Sequence, residues 1–414
     1  MTSTTCGVRM MLRAQIAHSN GSNGRTGDIP MSLVTRITLT TAASAALLTT
    51  TTGTSASNLP DRATPASSMH VGAIQLQSAG VMSFSDDGTL FVADPRGAAV
   101  YAVDVDESRR DTSRTGVKID DIDGKIAAAL GTTRDQIHIV DMVAHPLSQS
   151  LYFSLTRGKG NGAVPLLVSV TKTDEKVTIL PLESIRHARA DIPHAPSPDA
   201  KTPWGAVQRS FTVTDLALVD GELYIAGLGN EEFASTLRRL PYPFGKEASS
   251  TTVEMFHTSH NRYETAAPIE SFLPITLGGK PSLVAGYGCS PIVTVTRSEL
   301  VNGSHVRGKT VAEMGGGNRP FDMIRYTNTK GKEYILVANS NRTLARFDPQ
   351  ALASAKPMTT AVSETYEPGG VGYLPVAVVG VLQLDNYNRS NVVLLQRNIE
   401  TGSLDVVSES LNWL

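Results

Sequence analysis

One short phrase recurs along this chain of 414 residues and constrains what the chain can fold into. In its clearest form the phrase reads GTLFVAD, from Gly88 to Asp94, with a turn residue, an apolar run and a polar end. The later versions end at Leu155, Gly227, Gly286, Asn339 and Gln396, and successive ends lie 53 to 72 residues apart. A period of this size indicates a repeated unit with loops of variable length. The spacing therefore predicts six units.

Each unit surrounds the phrase with further strand-like segments. An apolar segment precedes it, at residues 80–84, 139–143, 213–217, 269–273, 321–325 and 378–382. A third, alternating segment follows in several units, at residues 99–103, 167–170, 292–295 and 343–347. A fourth occurs at residues 176–180, 252–256 and 309–313. Four antiparallel strands repeated six times can bury both faces of every sheet by stacking around an axis. The predicted fold class is all-β, a closed β-propeller of six four-stranded blades.

We expect an N-terminal strand to close the ring. The last unit lacks an obvious fourth strand after residues 405–407, and residues 72–77 precede the first unit, so we predict that they complete the last blade. Seven blades remain an alternative, because the interval between Leu155 and Gly227 is long. It contains RHARADIPHAPSPDAKTPWG, which we interpret as a loop crossing one face of the ring.

The first 71 residues do not carry the repeat. Residues 1–30 are polar and patternless, which fits an upstream extension, with Met31 as the true start. Residues 31–56 are typical of a secretory signal peptide, with a charged start, the apolar stretch ITLTTAASAALL and small residues near Ala56. A linker, residues 57–71, then leads to one propeller domain at 72–414. The alternative for the signal is a Thr/Ser-rich tail.

Export predicts a secreted or periplasmic protein. Signal removal would take Cys6 and leave Cys289 alone, which excludes an internal disulfide in the mature chain. No apolar run approaches the roughly 20 residues of a membrane-spanning helix, so we expect no integral membrane segment. The net charge of −2 gives no indication of a nucleic-acid surface.

The repeated strand phrase resembles the broad class of six-bladed propellers that includes NHL-repeat, gluconolactonase-like and quinoprotein-like proteins. The resemblance covers about residues 72–410. The chain has no Trp-Asp repeat ending and no Cys-x-x-Cys-His sequence, and its two Trp do not form a repeated docking motif. The resemblance implies a funnel at the axis, with ligands or metals held by polar residues of the innermost strands. The class by itself does not assign a function.

Acidic residues interrupt the apolar strand that precedes the phrase. Asp141, Asp215 and Asp322 occupy one position in three units, and Glu270 a similar one in another. Buried acids are costly unless they are paired or bind a cation. If they converge at the axis they could bind Ca²⁺, with Asn339 or Asn230 as a further oxygen ligand. The alternative is a structural role, in which each acid accepts hydrogen bonds from turns or from adjacent blade backbones.

Two loops concentrate ionisable groups. One follows Gly229 and contains Glu231, and the other contains His257, His260 and Arg262. The spacing of the two His suits metal ligands on a helical turn, and with Glu231 or Glu232 they could complete a transition-metal or catalytic site. No His-Glu-x-x-His sequence supports this site. The alternatives are contact with a partner, or a salt-bridge lattice formed by Glu231, Glu232, Arg238, Arg239, Arg262 and Glu264.

Two further features carry candidates. Gly315-Gly-Gly-Asn-Arg319 could offer backbone N–H groups to an anion, but a flexible connection into the fifth blade is the favoured interpretation. Arg319 could clamp a carboxylate at the axis. Cys289 could act as a nucleophile if a His lay within reach, whereas a buried small apolar role is the usual one for a single Cys.

Two function hypotheses follow. The first is an exported propeller that binds a protein, a glycan or a small ligand through one face of the ring. The second is a propeller enzyme of hydrolase or dehydrogenase type, with axial acids holding a metal or cofactor and the His, Arg and Glu loops supplying acid-base groups. Convergence of the acids beside the His loop would favour the enzyme, whereas pairing with backbone or Arg would favour the binding module.

Overall fold

A computed structural model describes residues 69–364 and 366–414, and strands make up most of the regular secondary structure in this part of the chain. The α-helices are α1 (Ile122–Ala129) and α2 (Pro349–Ser354). The strands are β1 (His70–Gly72), β2 (Met82–Phe84), β3 (Thr89–Asp94), β4 (Ala99–Asp104), β5 (Lys118–Ile119), β6 (Ile137–Ala144), β7 (Leu151–Arg157), β8 (Val164–Val170), β9 (Val177–Ile179), β10 (Ile185–Asp191), β11 (Asp215–Val219), β12 (Glu222–Leu228), β13 (Ser235–Pro241), β14 (Ser249–His257), β15 (Arg262–Glu264), β16 (Ile269–Leu277), β17 (Lys280–Tyr287), β18 (Pro291–Thr296), β19 (His305–Arg307), β20 (Lys309–Glu313), β21 (Pro320–Thr327), β22 (Glu333–Asn339), β23 (Leu344–Phe347), β24 (Gly369–Gly370), β25 (Leu374–Val376), β26 (Val381–Asn388), β27 (Asn391–Arg397) and β28 (Leu404–Ser410).

The expectations for residues 1–68, including the upstream extension, the signal peptide at 31–56 and Cys6, lie outside the described residues. Strand β1 begins at His70, so the end of the predicted linker is already part of a sheet. No helix in the described part of the chain is long and apolar enough to cross a membrane.

Six antiparallel blades, each with a core of four strands, confirm the predicted all-β propeller. We number the blades around the ring and give their strands from the axis outward. Blade 1 contains β2, β3, β4 and β10; blade 2, β11 to β14; blade 3, β16, β17, β18 and β20; blade 4, β21, β22, β23 and β25; blade 5, β26, β27, β28 and β5; and blade 6, β6 to β9. The short strands β1, β15, β19 and β24 extend blades 1, 2 and 3.

Two composite blades close the ring. The N-terminal part of the chain supplies the three inner strands of blade 1, and the C-terminal part supplies those of blade 5. Strand β5 pairs with β28 to complete blade 5, and β10 pairs with β4 to complete blade 1. Blade 6, which is continuous in sequence, lies between the two. The ends of the chain are therefore joined through two borrowed strands.

Apolar side chains fill every interface between neighbouring blades. Within residues 69–364 and 366–414 the buried side chains form six clusters, one for each pair of neighbours around the ring. An open ring of six blades would have only five such interfaces. The six clusters are thus the packing signature of closure.

The recurring phrase fits this packing. In β3, Leu90 and Val92 point into the cluster shared with blade 6, whereas Phe91 and Ala93 point into the cluster shared with blade 2. Both faces of the strand are buried, which explains a continuous apolar run in place of strict alternation. Asp94 ends the strand, and its carboxylate accepts hydrogen bonds from the backbone N–H groups of Gln77, Ser78 and Gly97.

Two predictions about ring closure are wrong. Residues 72–77 do not join the last blade: β1 pairs with β10, and the Ile74 N–H donates to the Leu182 carbonyl at 2.7 Å. Ile74 is buried between blades 1 and 6, which holds this segment there. The sequence RHARADIPHAPSPDAKTPWG is not wholly a loop either, because its first six residues belong to β10. That strand fills blade 1 and leaves no seventh blade in the described residues.

The closing strand gives a direct stability prediction. Ile119 in β5 is fully buried, whereas Val71 in β1 is 67% exposed. We expect Ile119→Ala to lower the free energy of unfolding by about 2 to 5 kcal/mol, because it leaves a cavity between blades 5 and 6. The matched change Val71→Ala should cost no more than about 0.5 kcal/mol. Urea unfolding of both variants measures the difference, and equal effects would contradict closure through β5.

Candidate functional site

Four aspartates form a belt inside the ring. We call Asp141, Asp215, Asp322 and Asp385 the axial acids; all four border a central cavity of about 640 Å³. The sequence predicted the first three. Asp385 was missed, because the innermost strand of blade 5 runs over Val381–Asn388 and the predicted strand stopped at residue 382. The missed signal was the acid within VLQLDNYN.

Each axial acid joins two neighbouring blades. One carboxylate oxygen accepts a hydrogen bond from the N–H of the next residue, at 2.7 to 2.8 Å. The other oxygen accepts from a backbone N–H of the adjacent blade, at 2.6 to 2.9 Å. The pairs across blades are Asp141 with Met82, Asp215 with Phe272, Asp322 with Leu384, and Asp385 with Ala144. These acids therefore accept hydrogen bonds from the backbones of adjacent blades, which is the structural role given above as the alternative to calcium binding.

The axial acids are hard to ionise. Burial raises the pKa of Asp141 to about 6 and the pKa of Asp215 and Asp385 to about 7. Burial together with the charge of Asp141 raises the pKa of Asp322 well above its usual range. The remaining exposure of these side chains is toward the cavity. Repulsion among the carboxylates adds to desolvation and makes full ionisation unfavourable.

Both arginines that line the cavity are paired with acids other than the four axial ones. Arg297 lines the cavity but donates to Asp220 at 2.9 Å, and Arg325 lies 3.6 Å from Glu333. In the described part of the chain, no cationic side chain is among the causes that shift the pKa of Asp141, Asp215 or Asp385. The ionised cavity would therefore carry uncompensated negative charge.

Glu270 lines the same cavity as the axial acids, whereas Asn339 does not. Glu270 pairs with Arg319 at 2.8 Å, so the carboxylate that Arg319 clamps belongs to the protein itself. Asn339 is buried and donates to the Val337 carbonyl at 3.0 Å, and its side-chain oxygen accepts from Asn318. The calcium hypothesis stays a prediction.

The loop candidates separate into two groups. Glu231 lies 3.9 Å from His194 and not beside His257. Arg238 is buried, donates to the Leu228 carbonyl at 3.1 Å, and has its pKa lowered to about 10 by burial. The six charged residues considered for a salt-bridge lattice therefore do not form one network, although Arg262 and Glu264 do pair, at 3.0 Å.

A second site forms where loops of blades 2 and 3 meet on one face of the ring. We call His257, His260, Glu264 and Cys289 the thiol site. One ring nitrogen of each His and the Cys289 sulfur lie within 4.8 Å of one another. Glu264 binds both rings, at 2.7 Å from His257 Nδ1 and 2.8 Å from His260 Nδ1. Cys289, predicted to be an ordinary buried residue, thus has a His within reach.

Buried Glu313 fixes the loops around the thiol site. Its carboxylate accepts from the Thr258 hydroxyl at 2.5 Å, from the Ser290 hydroxyl at 2.9 Å and from the Gly315 N–H at 3.2 Å. These contacts join the His loop, the Cys loop and the glycine loop. The glycine loop therefore supplies one N–H to a protein carboxylate and connects β20 to β21.

The backbone at Cys289 is held in an uncommon conformation. Cys289 has φ 60° and Ser290 φ 71°, two successive non-glycine residues in the left-handed region. Such residues cost roughly 1 to 2 kcal/mol each and persist only where their surroundings impose them. The Ser290 hydroxyl supplies such a constraint, because it also donates to the Gly315 carbonyl at 2.8 Å.

The thiol site favours charge separation. Burial lowers the pKa of His257, but the Cys289 thiol and the Glu264 carboxylate outweigh burial and raise it to about 9. The interaction with His257 lowers the pKa of the Cys289 thiol. Although burial raises the pKa of Glu264, the two His bring it down to about 2. A thiolate beside an imidazolium can act as a nucleophile or, after loss of the imidazolium proton, as part of a metal site.

Comparisons with known proteins assign no family. No profile of a known family matches the chain, and no curated protein matches it. Solved propellers align with it at low identity. A proposed oxidoreductase (glucose dehydrogenase) from Thermus thermophilus is 11% identical over 82% of this chain and 98% of its own, with a TM-score of 0.33. The Myceliophteria thermophila Cps50 (Swd1) β-propeller domain is 12% identical over 80% of this chain and 83% of its own, with a TM-score of 0.32. These scores carry no functional argument.

The raised pKa values of the axial acids predict an unusual pH dependence of stability. If folding raises the pKa of a group, the group stabilises the folded protein at pH values below the pKa that it has in the unfolded chain. This stabilisation is lost as the pH rises through the pKa of the group in the folded protein. In the presence of chelator, we expect the free energy of unfolding to fall between about pH 4 and pH 7, by up to about 1.4 kcal/mol per pH unit for each group.

Two variants isolate this effect by urea unfolding at several pH values. Asp215→Asn should flatten the slope, because Asn cannot ionise. Asp191→Asn should leave the slope unchanged, because Asp191 is an exposed acid paired with Arg189 outside the cavity. A wild-type stability that rises from pH 4 to pH 7, or an Asp215→Asn slope equal to that of wild type, would contradict the prediction.

Proposed function

We propose that the chain is an exported β-propeller that binds a small cationic ligand in its axial cavity. The observation that carries this proposal is the unbalanced charge of the cavity: four axial acids face it, and the arginines that line it pair with other acids. A cavity of about 640 Å³ has the size of a typical small-molecule site. A bound cation would reduce the repulsion among the carboxylates.

The geometry favours binding over catalysis at the axis. Both oxygens of every axial acid accept backbone hydrogen bonds, so the carboxylates are held by two blades and are less free to exchange protons with a substrate. Neither His257 nor His260 lines the axial cavity, whereas the enzyme hypothesis placed the His loop beside the axial acids. A glycan or protein partner on the loop face remains compatible with the fold.

The bound cation would be hydrated or organic. In the described residues, the only group of three ligating side chains with atoms within 4.8 Å of one another is at the thiol site, not at the axis. Ca²⁺ accepts six to eight oxygen ligands and tolerates water among them. Carboxylates spread around a cavity can therefore hold it partly through water, and Ca²⁺ remains the proposed ion.

Calcium titration tests this proposal. By isothermal titration calorimetry we expect Ca²⁺ to bind at pH 8 and at least about tenfold more weakly at pH 5.5, because protons compete for the axial acids. Asp215→Asn should weaken binding at pH 8, and Asp191→Asn should not. Chelator should lower the melting temperature of a protein purified with its ion.

A second probe separates the ion from the wider proposal. If Ca²⁺ fails but 1,4-diaminobutane binds with the same dependence on Asp215, the cavity binds organic cations and only calcium is excluded. If neither probe binds at pH 8, the cationic-ligand proposal is wrong. Export has its own test: N-terminal sequencing of the protein recovered outside the cytoplasm should begin near residue 57, and an unprocessed chain would contradict it.

A further inference from the structure

We propose that His257, His260 and Cys289 bind a zinc-type divalent transition-metal ion, independently of the axial cavity. His257 ends strand β14, His260 follows it, and Cys289 lies between β17 and β18, and their ligating atoms lie within 4.8 Å of one another. Ligand atoms in a tetrahedral zinc site lie roughly 3.5 Å apart. The group is therefore within about 1 Å of coordination distances before any ion binds.

The types of donor select the ion. One thiolate and two imidazoles suit borderline and soft ions such as Zn²⁺, whereas Ca²⁺ and Mg²⁺ require oxygen ligands. On binding, the Cys289 sulfur loses its proton to solvent, and so does a protonated His257. The sulfur and two neutral nitrogens then donate their lone pairs to the ion. No oxidant or other reactant is needed.

Glu264 is placed as a supporting group for two metal ligands. Its two oxygens bind the Nδ1 atoms of both His, so the Nε2 atom of each ring is the one left for an ion. Metal-binding His residues almost always use their second nitrogen in this way, which fixes the tautomer and orients the ring. The two rings lie side by side, with centroids 3.9 Å apart. A single carboxylate thus presents two imidazoles together.

An unsatisfied buried atom points independently to a ligand. The His257 side chain is only 3% exposed, and its buried Nε2 atom has no hydrogen-bond partner of good geometry, although the Cys289 thiol interacts with the ring. The other polar atoms that fix this site, on Glu264, Glu313 and Ser290, are hydrogen-bonded. A buried polar atom without a partner is uncommon in a folded protein and calls for an explanation such as a bound ion. A metal ion at His257 Nε2 would satisfy it.

The site is reachable from solvent. The His260 side chain is 43% exposed, and Cys289 is half-buried. Three protein ligands leave at least one coordination position of a tetrahedral ion for water or another exogenous ligand, as in catalytic zinc sites. The site is therefore of the open kind and not a closed structural one.

A metal-free nucleophile explains fewer of the contacts. A Cys289 thiolate activated by His257 and oriented by Glu264 would leave His260 without a role. The second Glu264 oxygen would then have to hold His260 at 2.8 Å for no chemical purpose. The metal site uses all four side chains, so the geometry favours it.

Titration of the full, metal-free chain with Zn²⁺ and with Co²⁺ tests the proposal. We expect one ion per chain in competition with a chelating indicator, and a thiolate-to-cobalt charge-transfer band in the near ultraviolet. Cys289→Ser should abolish the band, and His260→Ala should weaken binding by at least about tenfold. Every chain in the series also carries Cys6→Ser, so Cys289 is its only thiol and any charge-transfer band reports Cys289.

Two further variants test the residue that orients both His ligands and provide a control for loss of a His elsewhere. Glu264→Gln should weaken binding by about 10- to 100-fold, the usual effect of removing a group that orients a metal ligand. His194→Ala is the matched control, because His194 is an exposed His away from the thiol site, and it should bind like wild type. Because His260 is exposed, its substitution should leave the melting temperature of the metal-free protein unchanged.

Three results would overturn the proposal. One is the absence of stoichiometric binding by wild type. Another is cobalt binding without a charge-transfer band, or with a band that survives Cys289→Ser. The third is rapid alkylation of Cys289 by iodoacetamide that depends on His257 but is unaffected by Zn²⁺, which would assign the site to a metal-free nucleophile.

Discussion

Burial of both faces of every blade is the constraint on which the rest of the structure depends. In β3, Leu90 packs against one neighbouring blade and Phe91 packs against the other. Neither face of this sheet can therefore be left exposed to water. A closed ring buries both faces of all six blades. Here the ring is closed by two strands that join blades distant in sequence: β5 completes blade 5, and β10 completes blade 1. Closure then gives the molecule an axis and a cavity.

Closure also determines where charge accumulates. Innermost strands converge on the axis with backbone N–H groups that need acceptors, and four aspartates supply them across the blade interfaces. This solution places four carboxylates around one poorly solvated cavity, and burial raises their pKa values. The same groups that join the blades therefore make the cavity attractive to a cation. The thiol site is different, since it depends on loops of only two neighbouring blades.

The sequence predicted the features that repeat. The apolar phrase revealed the blades, and three of the axial acids were found because they share one position in their units. Closure by a strand from the N-terminal part of the chain was predicted but assigned to the wrong segment, because Lys118–Ile119 is only two residues long and carries no periodic signal. Asp385 lies beyond the end of the strand that the repeat predicted. The thiol site was missed as a unit because Cys289 and His257 are brought together by blade packing, which pairwise spacing in sequence does not encode.

Hydrogen exchange tests the central claim, closure of the ring through borrowed strands, most directly. In native conditions the amides of residues 117–120 should exchange as slowly as those of residues 404–407, because Val406 and Val407 pair with Ile119 and Lys118 in one sheet. Both segments should lose protection together as urea is added, in one cooperative unit. Exchange of residues 117–120 at the rate of an exposed loop, while residues 404–407 stay protected, would contradict the account.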